Sequence, residues 1–107
     1  MRKFVAVAAL ALLSAPAFAQ DATVQLTLKD HKFAPAEVEA PANKPLVLEI
    51  SNQDSAAAEF ESKELRVEKV APAGGKATVR VRALKPGRYK FFDDYHESTA
   101  QGVLVVK

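Results

Sequence analysis

The sequence predicts an all-β Greek-key sandwich of seven to eight strands, and three observations carry that reading. Apolar residues recur at every second position in most segments, the period of a strand with one buried face. Clusters of Pro, Gly, Asn, Asp and Ser separate these short segments and supply turn chemistry. Beyond the first residues, no stretch has the length or the three-to-four spacing of a helix. Short strands with turn signals between them pack as two layers, read from the pattern as antiparallel.

The 107-residue chain starts differently from the rest. Arg2 and Lys3 precede an apolar run from Phe4 to Leu13, which Ser14 and Pro16 break before Ala17-Phe18-Ala19. That run falls short of the ~20 residues a membrane span requires. A positive start, a short apolar centre and a small-x-small ending read as a secretory signal peptide over 1–19, cut between Ala19 and Gln20. One domain then covers 20–107, and the expected location is the periplasm with no membrane insertion of the mature chain.

From there each element follows its own signal. Val24, Leu26 and Leu28 alternate with Thr23, Gln25 and Thr27 in a first strand. Asp30-His31-Lys32 breaks it, and Val38 follows Phe33-Ala34-Pro35 in a short extended piece. A Pro41–Pro45 turn leads into the strand Leu46–Ile50, and Ser51–Ser55 is loop chemistry. Phe60 points inward between Glu59 and Glu61. Leu65 and Val67 alternate with Glu64, Arg66 and Glu68 as another one-sided strand. Ala77, Val79 and Val81 form the cleanest amphipathic strand. Pro86-Gly87 turns the chain into Tyr89 and Phe91. Val103–Val106 is apolar on both faces and therefore a central strand.

Charge and composition exclude whole classes of function. The 15 basic residues fall to 13 without Arg2 and Lys3, equal to the 13 acidic ones. A neutral mature chain lacks the basic surplus that a nucleic-acid binder needs to displace counterions. No cysteine is present, which removes disulfides, thiolate catalysis, Cys-type zinc sites and Cys-ligated copper. There is no nucleophile elbow and no Gly-rich phosphate loop.

The run Phe91-Phe92-Asp93-Asp94-Tyr95-His96-Glu97 is where core residues and metal-ligating chemistry meet. Glu59 and Glu61 sit two apart on one strand, so with Phe60 inward both carboxylates share the outer face. Two such carboxylates repel by roughly 1 kcal/mol or less when exposed, and a bound cation removes that penalty. Adjacent Asp93 and Asp94 point to opposite sides of an extended chain, so only one of them enters a shared site. Arg80, Arg82, Arg88 and Lys90 alternate outward and could form a basic face.

Several motifs together resemble the cupredoxin framework. They are Phe33-Ala34-Pro35, Asn52-x-Asp54, Leu84-x-Pro86-Gly87-x-Tyr89-x-Phe91 and Gly102-x-Leu104-x-Val106. In blue-copper members of that family, a His, a Cys, a second His and a Met hold the metal. The resemblance puts Glu59 at the first position, Asp93 at the Cys, His96 at the second His and Ala100 at the Met. One imidazole with carboxylates suits harder ions, iron or Cu(II), better than a blue-copper centre.

A narrower similarity links Glu59–Lys63 and Phe91–Gly102 to cupredoxin-like proteins of bacterial iron-uptake systems, including the EfeO-type domain. It implies a metal-binding accessory protein carrying copper and/or an iron ion. It also implies a membrane iron permease and another periplasmic iron-uptake protein as partners. Assistance to Fe(II) oxidation follows from the same similarity, rather than turnover as an independent enzyme. The expected ligands are Glu59, Asp93 and His96, with Glu61 nearby and His31 at a second position. The alternatives are a copper-handling protein and an interaction module that has lost its metal.

Overall fold

A computed structural model describes residues 21–107. The signal peptide expected over 1–19 lies outside the described residues. Nine strands follow in order: β1 (Ala22–Lys29), β2 (Lys32–Ala34), β3 (Glu37–Ala40), β4 (Leu46–Asn52), β5 (Ala58–Ser62), β6 (Val67–Ala71), β7 (Lys76–Val81), β8 (Gly87–Asp93) and β9 (Gln101–Val106). One sheet runs β2-β1-β4-β7 and the other β3-β9-β8-β5-β6. The all-β sandwich is as the sequence predicts, with one or two strands more than expected. The additions are short pieces flanking Ala34-Pro35, too brief to show two full periods of alternation.

The sheets are mixed rather than purely antiparallel. β1 pairs β4 in parallel from Ala22↔Leu46 to Leu28↔Asn52, and β3 pairs β9 in parallel from Glu37↔Val103 to Ala40↔Val106. Side-chain alternation is the same in both kinds of pair, so the sequence pattern could not separate them. The apolar β9 does sit inside its sheet, between β3 and β8.

Alternation fills the space between the sheets. Val24, Leu26 and Leu28 of β1, Leu46, Leu48 and Ile50 of β4 and Val79 and Val81 of β7 face Phe60, Phe91 and Leu104 of the other layer; all are buried. Full burial of such a side chain contributes about 1.5–3 kcal/mol. Phe33, Phe60 and Phe91 meet beneath the loops that carry the site, with ring centroids 5.0–6.2 Å apart. Gly102 is required there, because a Cβ would overlap the Phe91 ring and lie 2.9 Å from the Ala36 carbonyl oxygen.

Two local expectations change. Leu65 is buried, but in a turn that precedes β6 and not in a strand. Its amide donates to Ser62 Oγ, and Arg66 with φ 57° closes the turn. The basic face does not form as one surface. Arg80 pairs with Asp21, Arg88 pairs with Glu37, and Arg82 donates to the Leu65 and Glu64 carbonyls.

Candidate metal centre

Period-two alternation in β5 sets the site. Ala58, Phe60 and Ser62 are buried, so Glu59 and Glu61 stand on the outer face of the five-stranded sheet. β8 is the neighbour, with Phe60 opposite Asp93 and Glu61 opposite Phe92. One residue past β8, the chain turns and brings Asp94 onto the same outer face. Carboxylate oxygens of Glu59, Glu61 and Asp94 lie within 4.8 Å of one another.

The electrostatics show mutual repulsion. Glu59 is held above the usual carboxylate range, chiefly by a hydrogen-bonding contact with the Glu68 carboxyl, then by desolvation and by the Glu68 charge. The Tyr95 phenol works in the opposite direction. Glu61 is also raised, first by desolvation and then by the Asp94 and Glu59 charges. The Tyr95 hydroxyl is raised by desolvation and by the adjacent carboxylates. Each of these groups keeps its proton longer than it would alone. A cation among them favours the charged forms.

Asp93 is elsewhere. Its side chain is fully buried, and its carboxylate accepts hydrogen bonds from the Glu59 amide at 2.8 Å and the Tyr95 amide at 3.0 Å. Its other oxygen meets His96 Nδ1 at 2.8 Å. Glu59 and Asp93, which the resemblance put in one ligand set, therefore stand on opposite sides of the sheet. His96 lies at the rim of the inner end, stacked on His31 with ring centroids 3.9 Å apart. Ala100 is a buried methyl beside the same loop.

The structure thus divides the five expected residues into two groups. Glu59 and Glu61 join Asp94 outside; Asp93, His96 and His31 gather at the loop end. Alternation admits only one of Asp93 and Asp94 to a shared site and the resemblance favours Asp93, but alternation cannot say which of two neighbours faces outward where the strand ends. Glu68 and Tyr95 had a weaker signal: Glu68 comes opposite Glu61 only through the register of the β5–β6 hairpin, and Tyr95 lies in the turn after β8. The soft blue-copper ligand set does not fit this chain: no thiolate exists, and the carboxylate at that position already has three donors.

Beside the outer carboxylates lies an open groove of about 560 Å³, lined by Phe92, Val103, Lys63, Lys90 and Gln101 among others. Among the described residues no helix is long and apolar enough to cross a membrane.

Residues 3–106 match the model of the cupredoxin-like domain, and the chain belongs to that family. An uncharacterized protein of Rickettsia prowazekii (strain Madrid E) is 42% identical over 83 residues, which cover 78% of this chain and 66% of that protein. The chain thus spans just under two thirds of that relative. Among solved structures, the metal-binding domain of the Cu(I)-exporting P-type ATPase CopA of Streptococcus pneumoniae D39 superposes with TM-score 0.70 at 13% identity. The match covers 79% of this chain and 84% of that one. Auracyanin A, a blue copper protein from Chloroflexus aurantiacus, superposes with TM-score 0.65 at 15% identity, covering 82% and 100%. A purple cupredoxin from Nitrosopumilus maritimus gives 0.58 at 16%, covering 81% and 100%. At these identities the likeness is one of fold.

Proposed function

We propose that this protein is a periplasmic metal-binding accessory protein of bacterial iron uptake, which holds iron on Glu59, Glu61 and Asp94 and passes it to a membrane iron permease. The observation that carries this reading is the approach of three carboxylates to within 4.8 Å on one sheet face. An all-oxygen set suits hard ions, and Fe(III) more than soft Cu(I). Such ligands bind Fe(III) more firmly than Fe(II), so they favour loss of one electron from bound Fe(II) to an external acceptor such as dioxygen. The similarity of Glu59–Lys63 and Phe91–Gly102 to iron-uptake proteins supports the pathway. On this reading residues 1–19 are the export signal and 20–107 the working domain. A second reading, copper handling, has support from fold neighbours whose own names record copper.

Uptake of radiolabelled iron by host cells at limiting supply tests the assignment. Deleting the gene is expected to slow uptake, and a Glu59→Gln/Glu61→Gln/Asp94→Asn variant is expected not to restore it. Wild-type uptake with that variant overturns the assignment.

A further inference from the structure

We propose that His31 and His96 form a second, separate metal site that takes a late first-row divalent ion of the Cu(II) or Zn(II) class. Both histidines of the chain are brought together from loops 65 positions apart in sequence, ring against ring at 3.9 Å and 22°. His31 occupies none of the four ligand positions that the cupredoxin resemblance assigns. This inference does not rest on the carboxylate site, because it uses different residues and a different donor chemistry.

Each imidazole has a carboxylate on its Nδ1 side. His96 Nδ1 meets Asp93 Oδ2 at 2.8 Å, and His31 Nδ1 stands 3.6 Å from Asp54 Oδ2. The hydrogen bond to Asp93 favours the His96 tautomer that leaves Nε2 with a free lone pair, and metal-bound histidines are commonly backed in this way. Both carboxylates are themselves anchored. Asp93 is buried and holds two backbone amides. Asp54 accepts from the amides of Asp30 at 2.7 Å and His31 at 3.0 Å, while its own amide donates to the buried Asn52 side chain.

The backbone under His31 is also unusual. Asp30 and His31 form the two-residue loop between β1 and β2, with Lys29 paired to Lys32 and φ values of 52° and 56°. A tight hairpin of this kind needs positive φ at both positions and favours Asn-Gly. A histidine there is strained where glycine would not be. Asp54 offsets that strain, and the result is an imidazole aimed at His96.

Stacked rings hold their lone pairs side by side, so ion capture requires one ring to turn. His96 is fixed by its short contact. The 3.6 Å gap to Asp54 is longer than a hydrogen bond, and the His31 side chain is 44% exposed. His31 is therefore the arm that swings, closing both Nε2 atoms on an ion at about 2.0–2.1 Å. Solvent fills the remaining positions.

Cu(II) titration of the protein tests this, read by calorimetry and by pulsed electron paramagnetic resonance, which counts coordinated imidazole nitrogens. Wild type and the Glu59→Gln/Glu61→Gln/Asp94→Asn variant are both expected to show two imidazoles. His31→Asn, which tolerates the left-handed backbone, is expected to show one and to bind about 100-fold more weakly, with its thermal melt little changed. Two imidazoles in His31→Asn, or none in wild type, overturns the proposal. So does loss of the imidazole signal in the carboxylate variant. Absence of iron binding alongside an intact imidazole signal would instead count against the carboxylate site alone.

Discussion

Asp93 closes β8 with its side chain inside the sandwich, and Asp94, the next residue, stands on the outer face of the same sheet. Asp93 is surrounded by donors: two backbone amides and an imidazole. Asp94 is surrounded by acceptors, Glu59 and Glu61. A carboxylate whose lone pairs are filled by protein donors has a structural role, since a further ligand must first displace them. Carboxylates that face one another are held at a cost that a proton or a cation relieves, and at Glu59 the Tyr95 phenol offsets part of it. The same residue type, one position apart, thus meets donors on one side of the sheet and like charge on the other.

Breaking the inner arrangement should have the largest effect. Asp93→Ala leaves buried donors without acceptors, and chemical denaturation is expected to show a loss on the order of 3–5 kcal/mol. A loss below about 1 kcal/mol would mean that Asp93 is not what holds the loop end together. Asp54→Ala removes the acceptor of two amides in the positive-φ loop and should cost roughly 2–3 kcal/mol. Asp54 is held below the usual carboxylate range, chiefly by the His31 amide hydrogen bond, against a contrary effect of desolvation. A lowered folded-state value stabilises above the unfolded-state value and is lost as pH falls through the folded one. The gap between Asp54→Ala and wild type should therefore narrow in strong acid, below the ordinary value of 3.8.

The outer face should answer with the opposite sign. Glu61 is raised above its ordinary value of 4.5. A raised folded-state value means that stability present below the unfolded-state value is lost as pH rises through the folded one. Without metal, Glu61→Gln is therefore expected to melt higher than wild type at pH 7 and at the same temperature near pH 4. A variant that melts lower than wild type at pH 7 would show that Glu61 already has a favourable partner.

How far this division could be read from the sequence depends on the kind of signal. The sandwich was legible because Val24-x-Leu26-x-Leu28 and Ala77-x-Val79-x-Val81 repeat the strand period over several residues. Val38 marked a short extended piece where β3 forms, but β2 is too short to repeat anything. The parallel pairing of β1 with β4 leaves no mark on alternation. At the site, Glu59 and Glu61 were legible as a pair because Phe60 fixes the phase of β5. Asp93 and Asp94 were not separable, since they sit where the strand gives way to a turn. The cupredoxin resemblance pointed to Asp93, and the structure shows Asp93 saturated with donors. The His31–His96 stack depends on a hairpin loop meeting a distant one, which no local pattern encodes.

The central claim is that Glu59, Glu61 and Asp94 hold a hard cation while Asp93 does not. Anaerobic calorimetric titration of Fe(II), with Mn(II) as a redox-stable check, tests it most directly. Wild type should bind one ion at this face with an affinity that rises with pH, because the raised carboxyls must release protons on binding. Glu59→Gln/Glu61→Gln/Asp94→Asn should lose that binding. Equal binding by the two proteins, or binding independent of pH above the ordinary carboxyl value of 4.5, would contradict the account.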